Sequence, residues 1–364
     1  MKKVLHLIYH AHFGGIEKVV YDILKYQAGH SNVAHDLLIL NPKGEYLSKF
    51  ESLPISLHKG DFTSGLDFSK AKISAIKDLF KEYDLVHFHV FHLPAIRSAT
   101  SARVKTVYTE HGNFGFGRKV RLSDRVNHWF KGRFLRKRVH FITYNSEFTR
   151  DYAQKKYGLK HGRERVVYNG VDFDQLRKQE ASDFSAGEGH FKVGTISRLA
   201  GFKRIDRLIA AFARFVAEKQ DVKLYIGGDG QLRKALEAQA AELNVQDQVV
   251  FTGYLQNATD FMRQMDLCVF PSQSEPFGIV AIESLSKQRP TLVFADGGGL
   301  VDIIQRFNKE DVVADETALV QRLDFYYTQK DQENHPGTEN QQILERDFSI
   351  GKMCASFDEV YSSL

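Results

Sequence analysis

Long apolar runs are missing from this 364-residue chain. No stretch approaches the roughly 18 residues that a membrane-crossing helix needs. Cysteine is scarce too. Cys268 and Cys354 are too few for a disulfide framework, and Cys268 lies in an apolar run that reads as core. No G-x-G-x-x-G follows the first strand, so the dinucleotide fingerprint of a nicotinamide-dependent oxidoreductase is absent. No signal-peptide pattern opens the chain, because Met1-Lys2-Lys3 runs directly into the apolar stretch Val4 to Tyr9. These absences, with 43% hydrophobic residues and length enough for two cores, lead to the expectation of a two-domain cytoplasmic protein.

The net charge of +5 hides an asymmetry. Met1 to Asp172 carries 29 Lys+Arg against 16 Asp+Glu, whereas the remainder carries 21 against 29. A basic half meets either nucleic acid or an anionic lipid surface. No nucleic-acid-binding module is present, so no nucleic-acid partner is expected. The charge is densest from Arg118 to Arg138, with nine basic residues and one acid, Asp124. There Leu122, Val126, Trp129, Phe130 and Phe134 share one helical face, and Arg121, Arg125, His128 and Arg136 another. Such a helix either packs its aromatic face on the domain or meets anionic headgroups or a phosphorylated saccharide. Arg118, Lys119, Arg121, Arg125 and Trp129 are the candidates for that acceptor or membrane surface.

Strand-like and helix-like patterns alternate through both halves, the signature of parallel sheets in doubly wound α/β domains. The first strand ends in His10-Ala11-His12-Phe13-Gly14-Gly15 ahead of a helical face of Ile16, Val19, Val20, Ile23 and Leu24, where a phosphate can bind at the helix N-terminus. Residues 41 to 70 read as long loops. His87 and His89 alternate with apolar residues and, with His92, have the look of metal ligands, but no carboxylate or cysteine completes a set. No metal is expected. His111, before Gly112 at a strand tip, stands where parallel sheets bind ligands. Asp172-Phe173-Asp174 is nominally D-x-D, but it falls at the start of a linker-like segment.

In the second half, Ser197-Arg198-Leu199-Ala200-Gly201-Phe202-Lys203 follows a strand and precedes a strongly amphipathic helix. Arg198 and Lys203, on a loop at the foot of that helix, suit the two phosphates of a nucleoside diphosphate. Leu267 to Ile304 combines a buried strand, a loop with Glu275, a helix with Glu283, a second strand, and the loop Gly297-Gly298-Gly299, which is bare enough to approach a ligand. Glu275 precedes Pro276 and Gly278 and belongs to the loop at the helix N-terminus. Glu283 lies about a turn and a half inside, so both carboxylates can face one ligand. The N–H groups of Phe277, Gly278 and Ile279 add partial positive charge there.

These strings, taken in order, resemble the retaining family-four glycosyltransferases, whose C-terminal part is the "glycosyl transferases group 1" domain. The resemblance runs from Gly14 to about Tyr361: the opening GG, D-x-V-H-x-H at Asp84 to His89, T-x-H-G around His111, V-x-x-N-G-V-D at Val166 to Asp172, S-R-L-x-x-x-K, and the two glutamates. It implies a GT-B architecture, two facing Rossmann-like domains with the active site in the cleft between them. The boundaries expected are residues 1–172 on the acceptor side, a linker at 173–190, a nucleotide-sugar domain at 191–345, and a helix at 346–364 that crosses back. It further implies transfer of a sugar from a nucleotide diphosphate sugar, as co-substrate rather than cofactor, to a saccharide or lipid-linked saccharide in cell-surface polysaccharide or lipopolysaccharide synthesis.

In that scheme Arg198 and Lys203 hold the diphosphate, Gly14 and Gly15 donate to it, Glu283 holds the ribose and the backbone at Tyr254 reads the base. His111 and Glu275 orient the sugar. The chain departs from the family at Gln288, where glycine is usual, and at Ser284, where alanine is usual. Alternatives are a nucleotide-sugar epimerase or hydrolase on the same fold, or a non-catalytic polysaccharide-binding subunit.

Overall fold

The structure, a computed structural model, describes residues 2–31, 33–112, 122–178, 184–330 and 338–364. Arg118, Lys119 and Arg121 therefore lie outside the described residues. The chain forms two compact units. The first comprises residues up to 170 together with 349–364, and the second residues 171–348.

The first unit runs β1 (Lys3–Ile8), α1 (Gly15–His30), β2 (Ala34–Ile39), α2 (Leu47–Glu51), β3 (Leu57–Lys59), α3 (Lys70–Phe80), β4 (Leu85–Phe88), α4 (Leu93–Ala102), β5 (Lys105–Glu110), α5 (Leu122–Arg138), β6 (Phe141–Tyr144), α6 (Glu147–Tyr157) and β7 (Glu164–Val166). Its seven parallel strands lie in the order β3-β2-β1-β4-β5-β6-β7. β1 and β4 are short, buried along nearly their whole length and apolar at most positions, as strands covered by helices on both faces must be. Residues 41 to 70, which read as loops, hold two short elements, α2 and β3. α2 buries Phe50, and β3 is only three residues long, too brief to register as an alternating pattern.

The second unit runs α7 (Phe173–Arg177), β8 (Phe191–Ile196), α8 (Ile205–Phe215), β9 (Val222–Gly227), α9 (Arg233–Glu242), β10 (Val249–Gly253), α10 (Ala258–Arg263), β11 (Leu267–Phe270), α11 (Ile279–Ser286), β12 (Thr291–Phe294), α12 (Gly299–Ile304), β13 (Val312–Val313), α13 (Glu316–Thr328) and α14 (Thr338–Phe348). Six parallel strands follow the order β10-β9-β8-β11-β12-β13. The core is the face of α8 carrying Ile205, Leu208, Ile209, Phe212 and Phe215 against Val193, Leu224, Ile226, Val269 and Leu292 of the sheet. The segment 173–190 begins with a helix, α7, that Asp172 caps from Oδ1 to the Gln175 N–H while Phe173 and Leu176 are buried. α15 (Ile350–Ser362) then packs on α1 within the first unit, burying Met353, Phe357, Val360 and Tyr361.

Both sheets have the switch-point order of doubly wound folds. In the first, connections diverge between β1 and β4; in the second, between β8 and β11. Ligands of such sheets bind outside the carboxyl ends of the strands at that point. The residues leaving β1, β4 and β5 in one unit, and β8 and β11 in the other, are therefore where chemistry belongs.

Candidate functional site

In the second unit the loop after β8 carries Arg198 and Lys203, and the loop after β11 carries Glu275. The Gln273 N–H donates to the Phe202 carbonyl at 2.8 Å, lacing the two loops together. Lys203 Nζ consequently meets Glu275 Oε2 at 2.5 Å, with both side chains more than four-fifths buried. Arg198 is exposed and has no ion-pair partner among the described residues. Two residues with left-handed backbone flank the pair: Arg204 at φ 50° and Ser274 at φ 56°. Non-glycine residues are held in that region only where surrounding contacts over-determine them, which is common at ligand sites.

The contacts that hold this geometry come largely from Arg207, a residue not singled out in the sequence. Its guanidinium donates to the Pro271 carbonyl (2.9 and 2.6 Å) and pairs with Asp296 at 2.7 Å. It also lies 3.6 Å from the centroid of Phe294. One buried cation thus ties α8 to the loops after β11 and β12. Nothing in the periodicity of α8 marks position 207 as buried, because its partners are carbonyls 64 residues away.

Glycine in this unit serves chain-on-chain approach. A Cβ at Gly299 would lie 2.5 Å from the Pro276 carbonyl oxygen, and one at Gly278, φ 102°, 2.4 Å from Leu300. The loop Gly297-Gly298-Gly299 is bare because the Glu275 to Phe277 backbone runs beside it: Glu275 N–H donates to Gly297 O, and Gly299 N–H to Glu275 O at 2.7 Å. Gly228 and Gly230 likewise accommodate the Ser197 and Leu199 backbone. Phe277 is buried against Phe348, so only its backbone is available to a ligand. Gly278 caps α11, which begins at Ile279, and the first N–H groups of a helix have no intrahelical partner. Glu283 is half-buried on α11. Tyr254 follows β10 and is 77% exposed, and the Gly228 N–H bonds the Gly253 carbonyl at 2.7 Å, connecting that strand end to the loop beside Ser197.

In the first unit Gly14 caps α1, and a Cβ there would stand 2.4 Å from Glu17 Oε2. Gly15 has open space. Glu17 is buried beside His10 (3.1 Å), and burial raises its carboxyl from the usual range. His111 follows β5 and is half-buried, with Nε2 3.0 Å from His89 Nδ1. Burial pushes His111 down to about 4, so it is neutral near pH 7. Just before it, Glu110 is buried and paired with Lys131 of α5 at 2.6 Å.

Three buried histidines, His6, His87 and His89, bring ring nitrogens within 4.8 Å of one another. His92 is elsewhere, accepting from the Ala95 N–H as the cap of α4. The trio has the spacing of metal ligands. Both His87 nitrogens, however, are engaged, Nδ1 with the Tyr361 hydroxyl (2.7 Å) and Nε2 with Thr109 Oγ1 (2.6 Å), and among the described residues none of the three bonds or pairs with a carboxylate that would offset a buried dication.

α5 docks through His128, Lys131, Gly132 and Leu135. The His128 ring packs tilted against Tyr157 with centroids 4.3 Å apart, and a Cβ at Gly132 would meet the Tyr157 carbonyl at 2.1 Å. The apolar side chains Val126 (57%), Trp129 (58%) and Phe130 (45%) point outward, with Arg125, Arg133 and Arg136 also exposed. Among the described residues no helix is long and apolar enough to cross a membrane.

Two family models match the chain side by side: Glycosyltransferase Family 4 over residues 13–175 and Glycosyl transferases group 1 over residues 177–342. The O-antigen chain mannosyltransferase C of Escherichia coli is 25% identical over the whole of this chain and 98% of its own. The alpha-monoglucosyldiacylglycerol synthase of Streptococcus pneumoniae is 25% identical over 67% of this chain and 58% of its own. Among several curated relatives the matched stretch spans 38% to 58% of the relative's length. The crystal structure of Anabaena HepE in complex with UDP superposes over 100% of both chains with a TM-score of 0.82 at 20% identity.

Proposed function

The chain belongs to the family-four glycosyltransferases, with a homologue in O-antigen synthesis, and on that premise we propose that it transfers a hexose with retention at the anomeric carbon. The donor is a nucleoside diphosphate sugar. The acceptor is a hydroxyl of a saccharide or lipid-linked saccharide.

The observation that carries this reading is the buried Lys203–Glu275 pair at the switch point of the second sheet, with Arg198, unpaired among the described residues, on the same loop as Lys203. As the bond from the anomeric carbon to the phosphate oxygen breaks, negative charge grows on the leaving diphosphate. Fixed cations at that place stabilise the transition state more than the ground state. Arg198 grips phosphate oxygens in a fork, and Lys203 supplies a point charge that Glu275 aims. Gly14 and Gly15 offer backbone donors to the same diphosphate. Glu275 and His111 orient the sugar hydroxyls, Glu283 binds the ribose, the backbone at Tyr254 reads the base, and the N–H groups of Phe277, Gly278 and Ile279 add donors. The acceptor oxygen attacks from the leaving-group face, and its proton passes to the departing phosphate oxygen, so no metal is called on to neutralise charge. The exposed face of Arg125 and Trp129 receives an anionic acceptor or lipid surface, which a hydrolase or epimerase would not need.

The test is release of free nucleotide from UDP-, GDP- and ADP-sugars without acceptor. One donor should be slowly hydrolysed. Lys203→Ala and Glu275→Ala should each lower that rate by roughly 100-fold or more, the scale of losing one preorganised transition-state contact. Hydrolysis at the wild-type rate in both variants would remove the pair from the reaction.

A further inference from the structure

Behind His111 the first unit contains an unbroken line of imidazoles drawn from two strands, β1 and β2, and from the loops that follow β4 and β5. His111 Nε2 lies 3.0 Å from His89 Nδ1, His89 Nε2 lies 3.0 Å from His6 Nδ1, and His6 Nε2 lies 3.0 Å from His35 Nδ1. Residues 6, 35 and 89 are buried. The far end, His35 Nε2, is buried with no hydrogen-bond partner among the described residues. At the near end His111 Nδ1 makes no hydrogen bond to the described residues.

We propose that these four residues form a tautomer relay in which His89, His6 and His35 fix the proton of His111 on Nδ1, making it a permanent hydrogen-bond donor to the substrate. This rests on the reading of His111 as a residue that touches the donor sugar.

The argument is a count of protons. A neutral imidazole has one N–H and one lone pair, and each of the three contacts needs one of each. Four neutral rings in line therefore have only two fully bonded arrangements, all N–H groups pointing toward His35 or all toward His111. In the first, His35 Nε2 carries a buried N–H with nothing to receive it. In the second, the same atom is a bare lone pair. A buried donor without a partner is the rarer and costlier of the two defects. The second order therefore prevails: His35 Nδ1–H donates to His6, His6 Nδ1–H to His89, and His89 Nδ1–H to His111 Nε2. The proton of His111 is left on Nδ1.

All four rings stay neutral near pH 7, because burial lowers each of them. Glu110, Lys131 and Asp36 are the charged neighbours of the two ends. His87, although its ring lies 4.0 Å from that of His89, is held by Tyr361 and Thr109 and takes no part. His89 is thus a positioning residue, acting through His111. A donor on Nδ1 cannot accept the acceptor's proton, which agrees with the leaving phosphate taking it.

The experiment is a long-range proton–nitrogen spectrum of the full chain labelled with 15N-histidine, without substrate. The expected result is a single tautomer for His111 with the proton on Nδ1. A proton on Nε2, or two tautomers in similar amounts, overturns the relay. His89→Phe removes the donor to Nε2, and its His111 should lose the single tautomer and show both. If His111 keeps the Nδ1 proton as the sole form in that variant, the relay is not what sets it. The sugar contact is read separately. Should the spectrum be as expected while His111→Phe hydrolyses the nucleotide sugar at the wild-type rate, the relay stands and the contact of His111 with the sugar falls.

Discussion

Gln288 adopts φ 59°, the left-handed conformation in which an L side chain crowds its own carbonyl. It follows α11 in the turn that leads to β12, where its N–H bonds the Leu285 carbonyl at 2.9 Å. Glycine, usual here in the family that the chain resembles, would take this turn without strain. Gln288→Gly should therefore stabilise the second unit by about 1 kcal/mol, or roughly 2–4 °C in Tm, less the entropy glycine returns to the unfolded chain. Calorimetry showing a lower Tm would mean that the side chain makes a contact worth more than the strain. Ser284, the other departure, sits buried with its hydroxyl bonded to Thr291 Oγ1 at 2.8 Å, so the polar atom is satisfied within the core. At this scale Lys203 and Glu275 were legible, because a cation and a carboxylate at strand ends have few structural reasons to be there. Arg207 was not. Its burial is created by carbonyls of a distant loop, and helical periodicity reports only the neighbours three and four residues away.

α5 shows the same limit one level up. Its pattern offered two faces, and periodicity alone could not say which was docked. The contact at Gly132 decides: the helix can approach the Tyr157 carbonyl only where no Cβ intervenes, so the side of His128, Gly132 and Leu135 turns inward and the aromatic stripe outward. Exposed apolar groups beside exposed arginines match an interfacial helix. The double variant Trp129→Ser/Phe130→Ser should shift Tm little, since Trp129 is 58% and Phe130 45% exposed. It should also lose at least about 10-fold in binding to vesicles containing anionic phospholipid, given about 1.5–3 kcal/mol for each large apolar side chain buried. Co-sedimentation measures it. Wild-type protein that ignores anionic vesicles, or a variant that binds as tightly, would return the stripe to ordinary surface.

At the scale of the whole molecule the two parallel sheets followed from alternating strand and helix patterns, but the distribution of buried ionisable groups did not, because it depends on which strands are neighbours. His6, His35 and His87 come from β1, β2 and β4, His89 directly follows β4, and with His111 they form a group of five neutral imidazoles in the first unit. Burial lowers all five, His35 and His111 to about 4. The sign is fixed: between the folded values and the unfolded value of 6.5 the unfolded chain binds more protons, so stability is present above pH 6.5 and is lost as pH falls toward 4. One pH unit below 6.5 each group removes about 1.4 kcal/mol, and five remove roughly 7 kcal/mol, comparable with the whole stability of a domain. Glu17 and Asp358 act in the opposite sense, since their raised carboxyls bind protons earlier when folded, but the histidines outnumber them, His92, His128 and His140 of the same unit being lowered by burial as well. The second unit has no such cluster among the described residues. Acidification from pH 7.5 to 5.5 should therefore strip hydrogen-exchange protection from β1, β4 and β5 while β8, β9 and β11 keep theirs. Equal loss in the two sheets would show that the histidines are charged or hydrated in the folded state, and the neutral relay behind His111 would fall with them.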